Sequence, residues 1–399
     1  MRSLLGVFLL APCLAGCGAS QTTIGVPDAT SVAPFVRRSL TYQVLYSFKG
    51  HRTRDGGHPS TTLVQVDGTF YGATAGVQRG RARYGTIFSI TPSGTEKTLF
   101  VFKGGPEQGA HPTDLVNVGG TLFGTTTSGG TNGWGTVFSI TRTGRETTLH
   151  NFAGGKGDGA HPHGLVDVGG TLYGTTSAGG TKGDGTVFAV TPSGTETVLY
   201  NFTGGKTDGA KPVAPLVDVQ GTLYGTAANA GEHGNGTVFA ITPSGTETVL
   251  YSFKGGMKDG AGPLAPLADA HGVLYGTTWS GGSAHCGGGG CGTVFAITPS
   301  GQERVVYAFA GPDGAYPSAA VVDVRGTIYA TTNLGGANGI GTVFAIKRSG
   351  EEFLLHSFSG YPTDGDYAAA ALLSAGGTLY GTTEYGGSAG AGTVFALTP

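Results

Sequence analysis

The residues best equipped for chemistry in this chain are few and lie far apart. His285 to Cys291 reads HCGGGGC, two cysteines around four glycines, a pattern open to three uses: metal clasp, redox pair or stapled loop. A zinc site needs two further ligands and only His285 is at hand. A catalytic dithiol is expected as Cys-x-x-Cys at a helix start. A Cys286–Cys291 disulfide is therefore expected, and closing so short a loop removes about 2 kcal/mol of unfolded-state entropy.

A second set recurs along the chain. The motif DGAHP or a variant of it places Asp55, Asp158, Asp208, Asp259, Asp313 and Asp364 before glycine, with Gln108 at the seventh position. Carboxylates suit Ca²⁺, but a calcium loop needs several oxygen ligands at close alternate spacing. One Asp before Gly reads as the cap of an Asx-type turn. Two residues beyond the glycine stand His58, His111, His161, Lys211, Gly262, Tyr316 and Tyr367. The three histidines suit a ligand contact, a metal or a plain polar rim. No carboxylate or cysteine accompanies them in phase, so neither metal nor cofactor is expected.

Charge and aromaticity single out other loops. Arg52 and Arg54 share one loop and Arg79, Arg81 and Arg83 another, a concentration in a chain with only 23 Lys and Arg. Guanidinium clusters grip sulfate, phosphate or carboxylate groups; a solvated loop is the plain alternative. Trp134 and Trp279 lie in one loop class, Trp279 where other copies have Thr127, Ser177, Asn333 or Glu384. Exposure is expected there, for stacking on a sugar or a partner, with packing under the loop equally open. The chain has no G-x-S-x-G, H-E-x-x-H, P-loop or paired Cys and His, and no catalytic residue is assigned. Glu232, Asp366 and Glu384 are the acids able to pair across a mouth. Glu96, Glu146, Glu196 and Glu247 recur at one turn and read as strand-edge charges.

What positions these residues is a repeat of about fifty residues, present seven times. GT[VI]F begins at Gly85, Gly135, Gly185, Gly236, Gly292, Gly341 and Gly392, and an aromatic strand ends at Tyr71, Phe123, Tyr173, Tyr224, Tyr275, Tyr329 and Tyr380. Each copy splits into four β-like runs; in the second these are 113–118, 121–127, 135–141 and 146–152, called strands A to D. The links A-to-B and C-to-D are hairpin-sized, so the sheet is an antiparallel meander. Fixed-phase aromatics exclude a disordered Gly-rich chain, although Gly is 77 of 399 residues.

The expected fold is all-β, a seven-bladed propeller of four-stranded blades. TYQVLYSF at 41–48 matches strand D, while the chain ends after a strand C, so the N-terminal strand should close the last blade. Meander order puts the long D-to-A and B-to-C loops on one face, where a site is expected. HCGGGGC sits in one such loop, which takes 16 positions from Gly276 to Gly292 where most copies take 11.

The first twenty residues, MRSLLGVFLLAPCLAGCGAS, have the anatomy of a secretory signal. Leu14-Ala15-Gly16-Cys17 resembles the lipobox of bacterial lipoproteins, which implies lipidation of Cys17, a signal over 1–17, a tether over 18–40 and a propeller over 41–399. Export would put Cys286 and Cys291 in an oxidising setting. The blade pattern resembles kelch and, more closely, the GloVer-type tandem repeat of exported bacterial proteins; GTVFAITPSGTETVLYSF, DGA.P and GTLYGTT carry that resemblance. No activity comes with it. A net charge of −2 argues against a nucleic-acid partner.

The expectation is a monomer, lipid-anchored to the cell envelope at the outer membrane, binding glycan or protein through its long-loop face without catalysis. A polysaccharide hydrolase or lyase and a purely architectural envelope protein are the alternatives.

Overall fold

The structure, a computed structural model, describes residues 40–50, 53–76 and 82–399. Its described residues form a seven-bladed propeller of four-stranded antiparallel sheets. Blade two shows the unit in full: A (Gly109–Val118), B (Thr121–Gly129), C (Thr136–Ile140) and D (Glu146–Asn151), hydrogen-bonded in that order. Gly119 and Gly120 make the A-to-B turn with φ of 58° and 86°, the left-handed backbone that a two-residue hairpin demands. Blade seven is completed by Thr41–Ser47, which pairs antiparallel with Thr393–Thr398 and sets Thr41 opposite Thr398. Cys17, the signal segment and nearly all of the tether lie outside the described residues.

Successive blades are joined by phenylalanines. The Phe that ends strand D of one blade meets, edge to face, the Phe of strand C in the next: Phe102–Phe138 at 5.3 Å, Phe152–Phe188 at 5.1 Å, and round to Phe48–Phe88 at 5.1 Å. These six rings are fully buried. A Cβ on Gly124 of strand B would meet Phe138 Cζ at 2.8 Å, so glycine there is what lets the ring lie flat on the sheet. Seven repeats of one interlocking contact account for the recurrence of the YGT and GT[VI]F elements.

The recurrent Asp does what a turn cap does. Asp158, Asp208 and Asp259 accept the backbone amides of Ala153, Thr203 and Lys254 at 2.6–2.7 Å, and Gln108 keeps the bond through Oε1, to Lys103 N at 3.2 Å. The D-to-A loop is thereby tied to the end of its own strand D.

Blades two and three differ from the rest. Their A strands run unbroken for ten residues, Gly109–Val118 and Gly159–Val168, whereas blade four splits into a rim pair, Gly209–Ala210 with Asn229–Ala230, and an inner strand Val217–Val219. The cause is in the sequence: two residues separate Pro112 from Leu115, and three separate Pro212 from Leu216. With one residue fewer, the chain has no slack to leave the sheet.

Candidate site at the channel mouth

One position per blade builds the mouth, and its backbone is the same seven times. His58, His111, His161, Lys211, Gly262, Tyr316 and Tyr367 all have φ between 56° and 65°. Each amide donates to a carbonyl in the preceding blade's B-to-C loop: His58 to Ala391, His111 to Tyr84, His161 to Trp134, Lys211 to Asp184, Gly262 to Asn235, Tyr316 to Cys291 and Tyr367 to Ile340. The left-handed backbone costs a non-glycine residue roughly 1–2 kcal/mol and is held here by that inter-blade bond. Glycine suits this position best, yet six of the seven residues carry side chains.

The histidines are oriented by the same neighbours. Nδ1 of His58, His111 and His161 lies 3.0, 2.7 and 2.7 Å from the carbonyl oxygens of Glu384, Ala75 and Thr127. A carbonyl only accepts, so Nδ1 carries a proton in each ring, and in His58, which burial disfavours as a cation, Nε2 keeps its lone pair. His58, His111, Arg83, Tyr84, Glu384 and Tyr385 then line a cavity of about 460 Å³ between blades seven, one and two. Arg83 lies over the Tyr84 ring at 4.7 Å, and Tyr385 meets His58 edge-on at 4.9 Å. Burial pushes the Glu384 carboxyl up to about 7 and holds His58 below the usual imidazole value despite its bond to the Glu384 carbonyl.

Below the mouth, the inner strands enclose a narrow channel of about 190 Å³. Its lining is mostly Ala, Pro, Ser and Thr, with two ionisable groups, Asp114 and His163, both from the uninterrupted A strands. Burial raises Asp114, whose carboxylate accepts the Thr62 amide at 2.8 Å. Burial, with the nearby His161 charge, pushes His163 down to about 4, so it stays neutral, with Nε2 3.1 Å from Ser177 Oγ. Neither was singled out from sequence, although the shortened Pro-to-Leu spacing was there to be read.

The remaining expected residues fall into separate groups. Trp134 is 43% exposed and meets His161 edge-on at 5.3 Å. Trp279, for which exposure and local packing were equally open, is half-buried, stacked on Tyr316 of the next blade at 5.0 Å. The Cys286–Cys291 disulfide is formed, and Tyr316 Oη donates to the Cys286 carbonyl at 3.5 Å, so the enlarged loop and both aromatics make one patch. Lys211 is exposed on the ring, Tyr367 faces Tyr385 at 6.1 Å, and Arg54 is exposed away from the cavity. Arg52, Arg79 and Arg81 lie outside the described residues.

The recurrent glutamates are not strand-edge charges. Each opens strand D and packs against the preceding blade, where Glu196, Glu247, Glu303 and Glu352 have a buried Oε1 with no hydrogen-bond partner among the described residues. Glu96 and Glu146 differ because Thr98 and Thr148 donate to Oε1 at 3.0 Å.

A family model described as the Gloeobacter/Verrucomicrobia repeat matches residues 35–163, 77–288 and 283–399. No curated protein matches the chain significantly. Among solved structures, a computationally designed protein is 16% identical, with 88% of this chain and 99% of that one covered and a TM-score of 0.48. A putative 6-phosphogluconolactonase from Bacteroides uniformis is also 16% identical, with 74% and 84% covered and a TM-score of 0.48. A puromycin-hydrolyzing peptidase of Mycobacterium tuberculosis is 12% identical at a TM-score of 0.53; the match covers 82% of this chain and 50% of that protein, and the likeness is one of fold.

Proposed function

The chain belongs to the Gloeobacter/Verrucomicrobia repeat family, matched from residue 35 to 399, and on that scaffold we propose a non-enzymatic binding module for acidic glycans. The observation that carries this reading is the convergence of Arg83, His58 and His111 with Tyr84 and Tyr385 on one cavity. Its volume falls in the range of small-molecule sites, roughly 300–1,000 Å³. The Arg83 guanidinium supplies donors for a uronate or sulfate, the two imidazoles, whose Nδ1–H groups are occupied by backbone carbonyls, leave Nε2 to meet sugar hydroxyls, and the tyrosine faces supply stacking for the ring. The module is exported and held at the outer membrane through lipid on Cys17, a reading supported by the lipobox and by a disulfide suited to an oxidising compartment. Labelling with an alkynyl fatty acid in cells should mark the wild type and spare Cys17→Ala.

Calorimetry with uronate-containing and sulfated oligosaccharides, against neutral ones, tests the ligand class. Arg83→Ala or Tyr385→Ala should weaken acidic-glycan binding at least tenfold. Equal affinity for neutral glycans, or no loss in either variant, overturns the reading. One observation favours a hydrolase or lyase as the second reading: Glu384, pushed up to about 7 by burial, is poised to exchange a proton at neutral pH. Release of reducing or unsaturated sugar ends that stops in Glu384→Gln would establish it.

A further inference from the structure

Away from the mouth, neighbouring blades meet in a repeated cluster at their outer strands. It contains a ring-bearing residue of strand D, the capping Asp of the loop that follows, and the Glu that opens strand D of the next blade. At four junctions the ring is a tyrosine, and Tyr46, Tyr200, Tyr251 and Tyr307 donate to Asp55, Asp208, Asp259 and Asp313 at 2.8, 3.1, 2.9 and 2.6 Å. Between blades two and three the ring is His150. Its Nε2 lies 3.6 Å from Asp158 Oδ2, too far for a hydrogen bond. His150 Nε2 and Glu196 Oε1 are both buried with no hydrogen-bond partner among the described residues. The donor atoms of His150, Asp158 and Glu196 all lie within 4.8 Å of one another.

Two buried polar atoms left unpaired at one point each carry a desolvation cost. No side chain nearby relieves it, since Val198 occupies the place from which Thr98 and Thr148 serve their glutamates. We propose that His150, Asp158 and Glu196 bind a divalent transition metal of the zinc class, with water at the fourth position. Zinc bonds of about 2.0–2.2 Å put two donors on one tetrahedral ion roughly 3.3–3.5 Å apart, so a 3.6 Å separation is nearly closed already. An imidazole nitrogen among two carboxylates selects zinc over calcium or magnesium. Asp158 is held in place, its two oxygens accepting the amides of Gly159 and Ala153, each at 2.6 Å. His150 and Glu196 project from strands of different blades, so the ion clips blade two to blade three. The site is independent of the glycan reading.

The test uses the full chain, stripped with chelator and titrated with zinc chloride by calorimetry, with native mass spectrometry for stoichiometry. One zinc per chain is expected, with calcium binding at least a hundredfold weaker. His150→Tyr installs the side chain found at four equivalent junctions, so it should fold with an unchanged circular dichroism spectrum and bind zinc at least tenfold more weakly; Glu196→Gln should do the same. The proposal is overturned by the absence of stoichiometric zinc, by calcium binding as tightly, or by His150→Tyr retaining wild-type affinity.

Discussion

Two junctions of the ring carry histidine at the same place and use it in opposite ways. Between blades six and seven, His356 Nε2 is 2.9 Å from Asp364 Oδ2, a formed hydrogen bond. Between blades two and three, the equivalent His150 stands 3.6 Å from Asp158 and leaves two buried atoms unpaired. The third residue makes the difference. At the closed junction Tyr42 replaces the glutamate, lies flat on His356 with ring centroids 3.6 Å apart, and donates to Asp364 Oδ1. Burial opposes ionisation of Asp364, but His356, Tyr42 and two backbone amides hold its carboxyl down to about 2. At the open junction the Glu196 carboxyl stands where Tyr42 offers its ring and hydroxyl, and its Oε1 finds no partner among the described residues. One blade interface thus becomes a latch or a cation cradle according to a single side chain.

The largest break in this comparison should come from the latch. Asp364→Ala strips the partner from the half-buried His356 and Tyr42 and should cost about 2–3 kcal/mol, read as a fall in the urea midpoint. Asp158→Ala in metal-free protein should cost clearly less, because His150 has no formed bond to lose. Converting the cradle comes next: Glu196→Tyr should reproduce the stacked latch, abolish zinc binding and gain about 1 kcal/mol in chelator. Val198→Thr should act in the same direction more mildly, by about 0.5–1 kcal/mol, since its hydroxyl would serve Glu196 Oε1 as Thr148 serves Glu146.

Acid response separates the latch from the tyrosine junctions as well. Glu247, Glu303 and Glu352 are pushed up to about 7, by burial first and then by Asp208, Asp259 and Asp313. A raised carboxyl pKa means that their contribution is full below about 4.5 and is lost as pH rises through 7. Asp364 works the other way, its contribution present above about 3.8 and lost as pH falls through 2. The triple variant Glu247→Gln, Glu303→Gln and Glu352→Gln should therefore flatten the fall in stability between pH 4.5 and 7. About 0.5 kcal/mol per site is expected, since these groups are partly exposed and screened. The smallest effect is within one blade: Ala227 stands where Thr126 and Thr176 bond the facing threonine, which leaves Thr237 Oγ1 unpaired. Ala227→Thr should recover about 0.5–1 kcal/mol, measured by the same urea titration.

Whatever repeats every fifty residues was legible in the sequence: blade number, strand order, the closing strand, the Asp turn caps and the side of the ring with long loops. Periodicity is a local signal amplified seven times, and the stapled loop stood out as a departure from it. What was not legible depends on contacts between blades. Trp279 differs from its polar equivalents, which left exposure and packing equally open, and Tyr316 of the following blade receives it. The glutamates alternate correctly for an edge charge, yet an adjoining blade covers them, and a strand's own period of two carries no information about its neighbour. Asp114 and His163 enter the channel because one residue is missing after Pro112 and Pro162, a deletion visible only when blades are aligned on the leucine of strand A.

The mouth positions invite use as a display scaffold. Their backbone conformation is set by amide bonds to the blade before, whichever side chain is mounted, and six different copies already tolerate His, Lys or Tyr. A library randomised at these seven codons alone would vary recognition chemistry while leaving every strand, hairpin and phenylalanine contact untouched. Selections from it could be read as changes in ligand preference with little confounding loss of folding.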